Sequence, residues 1–404
     1  MSPFRFLCIT GFFAILSSTI SKSPVLPLFA AHLGADPAEI GMVAGISAFS
    51  GVIFSIPAGL LADRYGRRRI LIFSSVLFAT IPFLYLIIDN IWQLALVRFL
   101  HGFATPAFLP VGMAYVSDLY RAERGEKMGW FSTATLLGRF CAPVAGGAIL
   151  SAVTLFGDMR FGAVYVFCGA MGLIALFMTL RMPAVEEHHT ERRTWKGIRL
   201  GFLAVISSRV IIVTSMVEAA ILFAYGTFET FVPLFAQKAG ISTTAIGIMI
   251  SAQVLTLALT KPVMGRFSDR HGRKAQIFYG GAMCALCMCA FGLSSSFEAL
   301  FAASILLGLC LSIVTSATSA LIADASRCED RGAAMGVLGS IMDIGHSTGP
   351  LAAGIVAGYF GFSYAFMAAG GLVAAIALCF LFFMGKRALS FGRADIDEDG
   401  VCSK

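Results

Sequence analysis

Twelve stretches of roughly twenty predominantly apolar residues, the length a bilayer-spanning helix needs, run through this chain. They lie at 5–30, 39–61, 69–88, 91–116, 128–154, 161–181, 203–236, 243–264, 275–294, 297–322, 333–359 and 362–385. In hydrocarbon every backbone N–H and C=O must find its partner within the protein, which leaves helices for runs of this length. The expected fold class is an all-α membrane protein with twelve transmembrane helices. Composition agrees, since only 13% of the side chains are charged and 58% are hydrophobic, against a charged share of about 25% in soluble domains. The first stretch, with small residues at Ala30-Ala31, has the outline of a secretory signal, but a matching internal copy makes it a span.

Charge placement tests the count. The even-numbered links hold nearly all the loop cations: Arg64, Arg67, Arg68 and Arg69; Arg121, Arg124 and Lys127; Arg192, Arg193, Lys196 and Arg199; Arg266, Arg270, Arg273 and Lys274; Arg327 and Arg331. Lys386, Arg387 and Arg393 follow the last span, and the odd-numbered links hold only Arg160 and Lys238. Basic links stay inside, so both termini and the central link are expected in the cytoplasm, with the chain in the cell membrane. This placement also explains the net charge of +7 and argues against a nucleic-acid partner. Most of the ten cysteines lie within apolar runs. Cys284-x-x-Cys287-x-Cys289 has redox-like spacing, but mid-helix and without a βαβ context it reads as small packing residues.

A long-range repeat divides the chain. Pro27-Leu28-Phe29-Ala30 recurs as Pro233-Leu234-Phe235-Ala236, an offset of 206. Gly59-x-x-x-Asp63-Arg64-x-Gly66-Arg67-Arg68 recurs as Gly265-x-x-x-Asp269-Arg270-x-Gly272-Arg273-Lys274, and Asp118-x-x-Arg121 as Asp324-x-x-Arg327. Arg124-Gly125-x-x-Met128-Gly129 recurs as Arg331-Gly332-x-x-Met335-Gly336 at an offset of 207. The expected organisation is an N-terminal six-helix bundle over 1–181, a polar linker over 182–202, a C-terminal bundle over 203–385 and an acidic tail over 386–404. Parallel repeats of this kind place a binding site at the repeat interface near the midplane and make an enzyme unexpected.

Three elements, the link from Gly59 to Arg69, Arg98-x-x-x-Gly102 in helix 4 and Gly138-x3-Ala142-Pro143-x-x-Gly146-Gly147 in helix 5, resemble the major facilitator superfamily, and with the repeat the resemblance covers nearly the whole chain. The link from Gly59 to Arg69 is similar to the family's signature loop. Gly59 and Gly66 suit a tight turn and close helix approach, and Asp63 and Asp269 can attract the positive end of a neighbouring helix. The resemblance implies a cytoplasmic latch built from Gly59, Asp63, Arg64, Gly66, Arg67, Asp118, Arg121, Asp269, Arg270, Gly272 and Arg273, which must break in the inward-open state. The arginines also fit plain positive-inside anchoring. Helix 4 carries Arg98-x-x-x-Gly102, resembling the family's second motif, whose buried Arg takes part in proton coupling. The counterpart of Arg98 is Ser304 while Gly102 is matched by Gly308; the scaffold repeats and the charge does not. Helix 5 reads Gly138-x3-Ala142-Pro143-x-x-Gly146-Gly147, repeated as Gly345-x3-Gly349-Pro350-x-x-Ala353-Gly354. This resembles the motif of the superfamily's antiporters, with Ala142 in place of the usual Gly; close packing between halves is the plainer reading of the same residues.

Ionisable groups inside a membrane are costly and mark function. The candidates for proton coupling are Arg98, Glu218, Asp343 and His346, and for the substrate cavity Lys22, His101, Arg139 and Glu229. Arg98 and His101 share a helix face, as do Asp343 and His346. Lys261, Glu229 and His101 could equally snorkel or bond a carbonyl. The first half offers Lys22, Arg98 and Arg139 with no membrane carboxylate, whereas many antiporters of this type carry an acidic residue in helix 1. That departure points to an anionic or zwitterionic substrate. The expected function is proton-coupled efflux of small amphipathic compounds by alternating access. The alternatives are a proton-linked or facilitative importer of an organic anion, and a transporter-like receptor or lipid-handling protein. No phosphate-binding loop is present, so the expected partners are a small-molecule substrate, protons and the bilayer, with no cofactor or metal, in a monomer.

Overall fold

The computed structural model describes residues 3–120, 123–153, 159–183, 208–326 and 331–384, except for the side chains of Ser55, Ile56, Leu60, Asp63, Arg124, Arg331 and Ala333. The described residues are helical almost throughout. In the N-terminal half α1 (Pro3–Ile20) and α2 (Val25–His32) make the first span, followed by α3 (Pro37–Tyr65) and α4 (Arg67–Leu84). The fourth span is likewise two pieces, α5 (Ile91–His101) and α6 (Ala104–Leu119), and α7 (Arg124–Ala152) and α8 (Met159–Leu180) complete the half. The C-terminal half holds α9 (Arg209–Lys238), α10 (Thr243–His271), α11 (Arg273–Leu293), α12 (Phe297–Ala325), α13 (Arg331–Phe360) and α14 (Phe362–Met384). Eleven of these spans are long and apolar enough to cross a membrane. The remaining one, α13, is long enough at 30 residues, but Asp343, His346 and its glycines dilute its apolarity. Leu286, Leu259 and Phe382 are 72%, 67% and 81% exposed, a surface suited to lipid and not to water.

Polar residues end the spans on the face away from the basic links. Asp36 and Glu39 form a reciprocal capping box at α3, with Pro37 in the first turn. Asn90 caps α5, and Ser242 and Ser296 cap α10 and α12. Each satisfies backbone N–H groups that the first turn leaves open.

Several expected boundaries need correction. The stretches at 5–30 and 91–116 are not single helices. Pro24, with no N–H, closes the turn at 21–24 and precedes α2 as its N-cap, and α5 ends at His101 where Gly102 meets a neighbouring helix. The expected link from Gly59 to Arg69 is mostly helix. Asp63, Arg64, Asp269 and Arg270 lie in the last turns of α3 and α10, and only Gly66 and Gly272 stand between helices. The ladder continues past the apolar run because charged side chains do not interrupt it, and it stops where the chain adopts φ values of 98° and 96°, a conformation glycine tolerates. The central linker falls largely within 184–207, outside the described residues, as do Arg121 and the tail. The eight described cysteines are free; Cys284 and Cys287 are buried in the C-terminal half, as packing residues would be.

The halves meet along two seams, α3 against α13 and α7 against α10. A Cβ on Gly41 would stand 2.2 Å from the Pro350 carbonyl oxygen, and one on Gly354 2.4 Å from that of Pro37. At the other seam the matching distances are 2.3 Å from Gly147 to the Thr243 oxygen and 2.3 Å from Gly247 to that of Pro143. Thr243 and Ser251 donate to the carbonyls of Gly147 and Phe140 at 3.1 and 2.7 Å. All of these contacts lie toward the face opposite the basic links. Eighteen residues along each helix stand Gly59, Gly336, Gly129 and Gly265, and five helical turns return to the same face. Nothing lies within 4 Å of where their Cβ atoms would be. Among the described residues, both seams are closed on the opposite face and parted on the basic face.

The central cavity as the candidate functional site

A cavity of about 310 Å³ lies between the halves and draws its lining from both. The turn between α1 and α2 supplies Lys22, α5 supplies Arg98 and His101, and α7 supplies Arg139. From the C-terminal half come Tyr225 and Glu229 on α9, with Asp343 and His346 on α13. Of the eight membrane-embedded candidates Glu218 alone does not line it. Glu218 is fully buried within the C-terminal half, where it accepts a short hydrogen bond from Thr318 and keeps its Oε1 unpartnered among the described residues.

The cavity's centre of charge is Glu229. Its Oε2 lies 2.8 Å from Lys22 Nζ and 3.0 Å from His346 Nε2, and Lys22 and His346 are 3.4 Å apart. The Lys22–Glu229 pair crosses between halves, whereas His346 and Glu229 belong to the same one. Tyr225 stacks on the His346 ring at 5.5 Å and fixes its plane. Lys22 therefore has a protein carboxylate as partner, supplied by the other half. The signal was present: Lys22 stands five residues before Pro27, and Glu229 four before Pro233. The two charges occupy neighbouring positions of the repeat and meet across its axis.

Arg98 is 3% exposed and has no carboxylate partner among the described residues. It donates to Ser47 Oγ at 3.0 Å and Tyr85 Oη at 3.4 Å. Gly102 makes this reach possible, since a Cβ there would stand 2.5 Å from the Ser47 carbonyl oxygen, and α5 therefore rests on α3. His101 approaches the same Tyr85 hydroxyl at 3.3 Å, and Tyr85 stacks on Tyr165 at 4.1 Å. Ser47, Tyr85 and Tyr225 escape the sequence because hydroxyl and aromatic residues in a span carry no charge signal. Arg139 and Asp343 face the cavity and form no ion pair among the described residues.

The remaining candidates lie away from the cavity. Arg67 pairs with Asp118 at 2.5 Å and also donates to the Ala114 carbonyl. Arg273 pairs with Asp324, and with Asp269 at 3.3 Å. These are braces within each half, tying the start of α4 to α6 and that of α11 to α12. Asp269 thus meets the start of the neighbouring helix through Arg273, and the Asp63 side chain and Arg121 are outside the described residues. Arg68 bonds the Met182 and Leu180 carbonyls at 2.7 and 3.0 Å, closing the C-terminal end of α8. Gly59 does not serve close approach in this conformation. The antiporter-like motif packs on two fronts. Gly138 and Gly146 rest on the first span, and Gly345 and Gly349 on α9. Pro143, Gly147 and Pro350 lie at the seams between halves. Close packing between halves therefore holds at Pro143, Gly147 and Pro350, whereas Gly138, Gly146, Gly345 and Gly349 pack within their own half.

Two six-helix halves, closed at one end over a charged cavity that both of them line, define a membrane carrier of the secondary-transport class. The chain belongs to the Major Facilitator Superfamily, whose family model matches residues 7–242 and 215–394. It is 25% identical over 367 residues to an uncharacterized transporter of the same type from Methanocaldococcus jannaschii, covering 88% of this chain and 92% of that one. It is 26% identical over 372 residues to the staphyloferrin B transporter of Staphylococcus aureus, with 89% and 87% coverage. Quinolone resistance protein NorA of Staphylococcus aureus is 25% identical over 233 residues, 56% of this chain and 57% of that protein. Among solved structures, the nucleoside transporter NupG (D323A mutant) superposes with a TM-score of 0.81 at 16% identity, covering 95% and 100% of the two chains. A bacterial homologue of the lysosomal transporter Spinster, inward-facing and occupied, gives 0.79 at 16% identity with 96% and 98% coverage. Both structural likenesses concern the fold.

Proposed function

We propose that this carrier exports small amphipathic compounds bearing a carboxylate, anionic or zwitterionic, in exchange for protons. The observation that carries the reading is the cavity, where Arg98 and Arg139 lack carboxylate partners among the described residues while Asp343 faces the same space. Two guanidinium groups fit a substrate carboxylate, and Asp343 suits an ammonium on the same molecule. Similarity to a quinolone resistance protein favours export, and the basic face is read as cytoplasmic, which makes this conformation inward-open.

Coupling follows from one atom. Lys22, His346 and an incoming proton compete for Glu229 Oε2. When the outer seams part, Lys22 moves away with its half and Glu229 stays with His346, free to take a proton from outside. When the seams close again, Lys22 reclaims the oxygen and the proton leaves inward. The emptied inward-open cavity is then ready for substrate. Arg98 and Arg139 hold substrate, and neither carries the proton, since a guanidinium stays charged. An importer of an organic anion would use the same cations, and the direction of flux separates the two.

The test is counter-transport in proteoliposomes under an imposed pH gradient, with a zwitterionic fluoroquinolone as first probe beside a panel of organic anions and lipophilic cations. Gradient-driven flux should fall at least about tenfold in Arg98→Ala and in Asp343→Asn, as expected when one partner of a desolvated charge pair is removed. Unchanged flux in both variants removes the assignment. Accumulation in the direction of proton entry establishes the importer.

A further inference from the structure

A second cavity of about 230 Å³ lies between the halves on the face opposite the basic links. Its floor is Leu28, Leu150 and Phe161, Arg160 is the one arginine or lysine that lines it among the described residues, and the C-terminal half closes it with Gln237 and Thr243. The Arg160 guanidinium sits 4.9 Å from the Phe161 ring centroid. Its Nε is buried without a hydrogen-bond partner, and no carboxylate among the described residues pairs with it. His32, at the exposed rim, lies 5.2 Å from the same ring. A buried N–H left unpaired is costly, and an anion is the partner a guanidinium accepts most readily. The apolar floor and the aromatic ring ask for a flat hydrocarbon body behind that anion.

We propose that this cavity binds a small amphipathic carboxylate and, by doing so, holds the carrier closed on that face. Thr243, which closes the cavity, itself donates to the Gly147 carbonyl across the seam. The cavity therefore exists only while the halves touch there. A ligand that binds one conformation draws the population toward it, so an occupied cavity slows every cycle that must open the seam. Arg160 has no role in the central cavity, and the ligand of this site need not be the transported compound. The holding effect rests on the alternating-access reading above; the binding does not.

Radiolabelled benzoate, with benzamide as its neutral competitor, tests the binding on the full chain in nanodiscs. Saturable benzoate binding that benzamide does not displace is expected. It should weaken about tenfold or more in Arg160→Gln, because the charged partner is lost, and persist in the double variant Arg98→Gln/Arg139→Gln. Leu150→Trp fills the floor without touching the charge and should abolish binding as well, which keeps the site testable if Arg160→Gln does not fold. No binding to the unaltered chain, equal binding in Arg160→Gln and Leu150→Trp, or loss only in the Arg98/Arg139 variant overturns the site. In proteoliposomes, benzoate added on the outer side should slow counter-transport by the unaltered chain and not by Arg160→Gln. Binding without slowing overturns the holding effect alone. Absence of any proton-driven flux overturns the proposed function and leaves the binding result standing.

Discussion

Glu229 Oε2 is shared between a cation from the other half and a histidine from its own, and this asymmetry decides what substitutions do. Lys22→Ala leaves a nearly buried carboxylate with His346 alone, and breaking a buried pair at one end costs about 3–5 kcal/mol. The Lys22 side chain is 26% exposed, which places the cost toward the lower end of that range. Proton-driven flux in Lys22→Ala should drop to near background. Glu229→Gln should retain substrate binding while losing the response to the pH gradient, measured as equilibrium exchange beside gradient-driven flux. The exchanged pair Lys22→Glu/Glu229→Lys restores the contact across the halves and should recover part of the flux lost in either single variant. Absence of any recovery means that Lys22 acts other than through Glu229. The same repeat logic explains why the two halves differ in chemistry. Lys22, Tyr85 and Arg98 correspond at an offset of 206 to Phe228, Phe291 and Ser304. Phe228 and Phe291 pack against each other at 5.2 Å, so two of the three positions that build a charged site in one half are apolar core in the other.

At the scale of the helix, α3, α7, α10 and α13 each carry a glycine against the other half and a second glycine five turns away against nothing. The first set admits no side chain. Gly247→Val places carbon within 2.3 Å of a backbone oxygen, and overpacking of this kind costs about 1–3 kcal/mol. The apparent melting temperature of the purified protein should fall by several degrees. Gly265→Val meets no such obstacle and should leave the melting temperature almost unchanged. It should nevertheless impair transport, because the added bulk blocks closure of the basic face. A melting temperature lowered equally by both substitutions would contradict the one-sided closure. The motifs of the two halves were legible because glycine, proline and charge recur at fixed spacing. The breaks at 21–24 and near Gly102 were not, since an interruption of one turn leaves a run of apolar residues looking continuous.

Across the whole molecule, the proposed cycle exchanges which end of each seam is shut. Cysteines introduced at Gly59 and Gly336, in a background freed of native cysteines, should cross-link slowly with a short reagent in the conformation described here. Substrate with an inward proton gradient should speed the reaction, because Gly41 and Gly354 show the same two helices in contact at their other ends. Rapid cross-linking without substrate would mean that the basic face is closed at rest. Span number, the duplicated halves, the seam glycines Gly147 and Gly354 and all seven acidic and basic side chains that line the cavity among the described residues were visible in the sequence. Each rests on a local property: apolar length, a fixed repeat offset, or a charge where hydrocarbon forbids it. What the sequence could not decide is which charges meet. Lys22 and Glu229 lie on different halves, and Arg98 finds Ser47 and Tyr85 on two other helices. Glu218, equally conspicuous in the sequence, turns instead into the interior of its own half. Hydrophobic length and repetition act along the chain and can be read from it. Partnership between charges depends on the rotation and approach of helices far apart in sequence, and packing in three dimensions alone settles it.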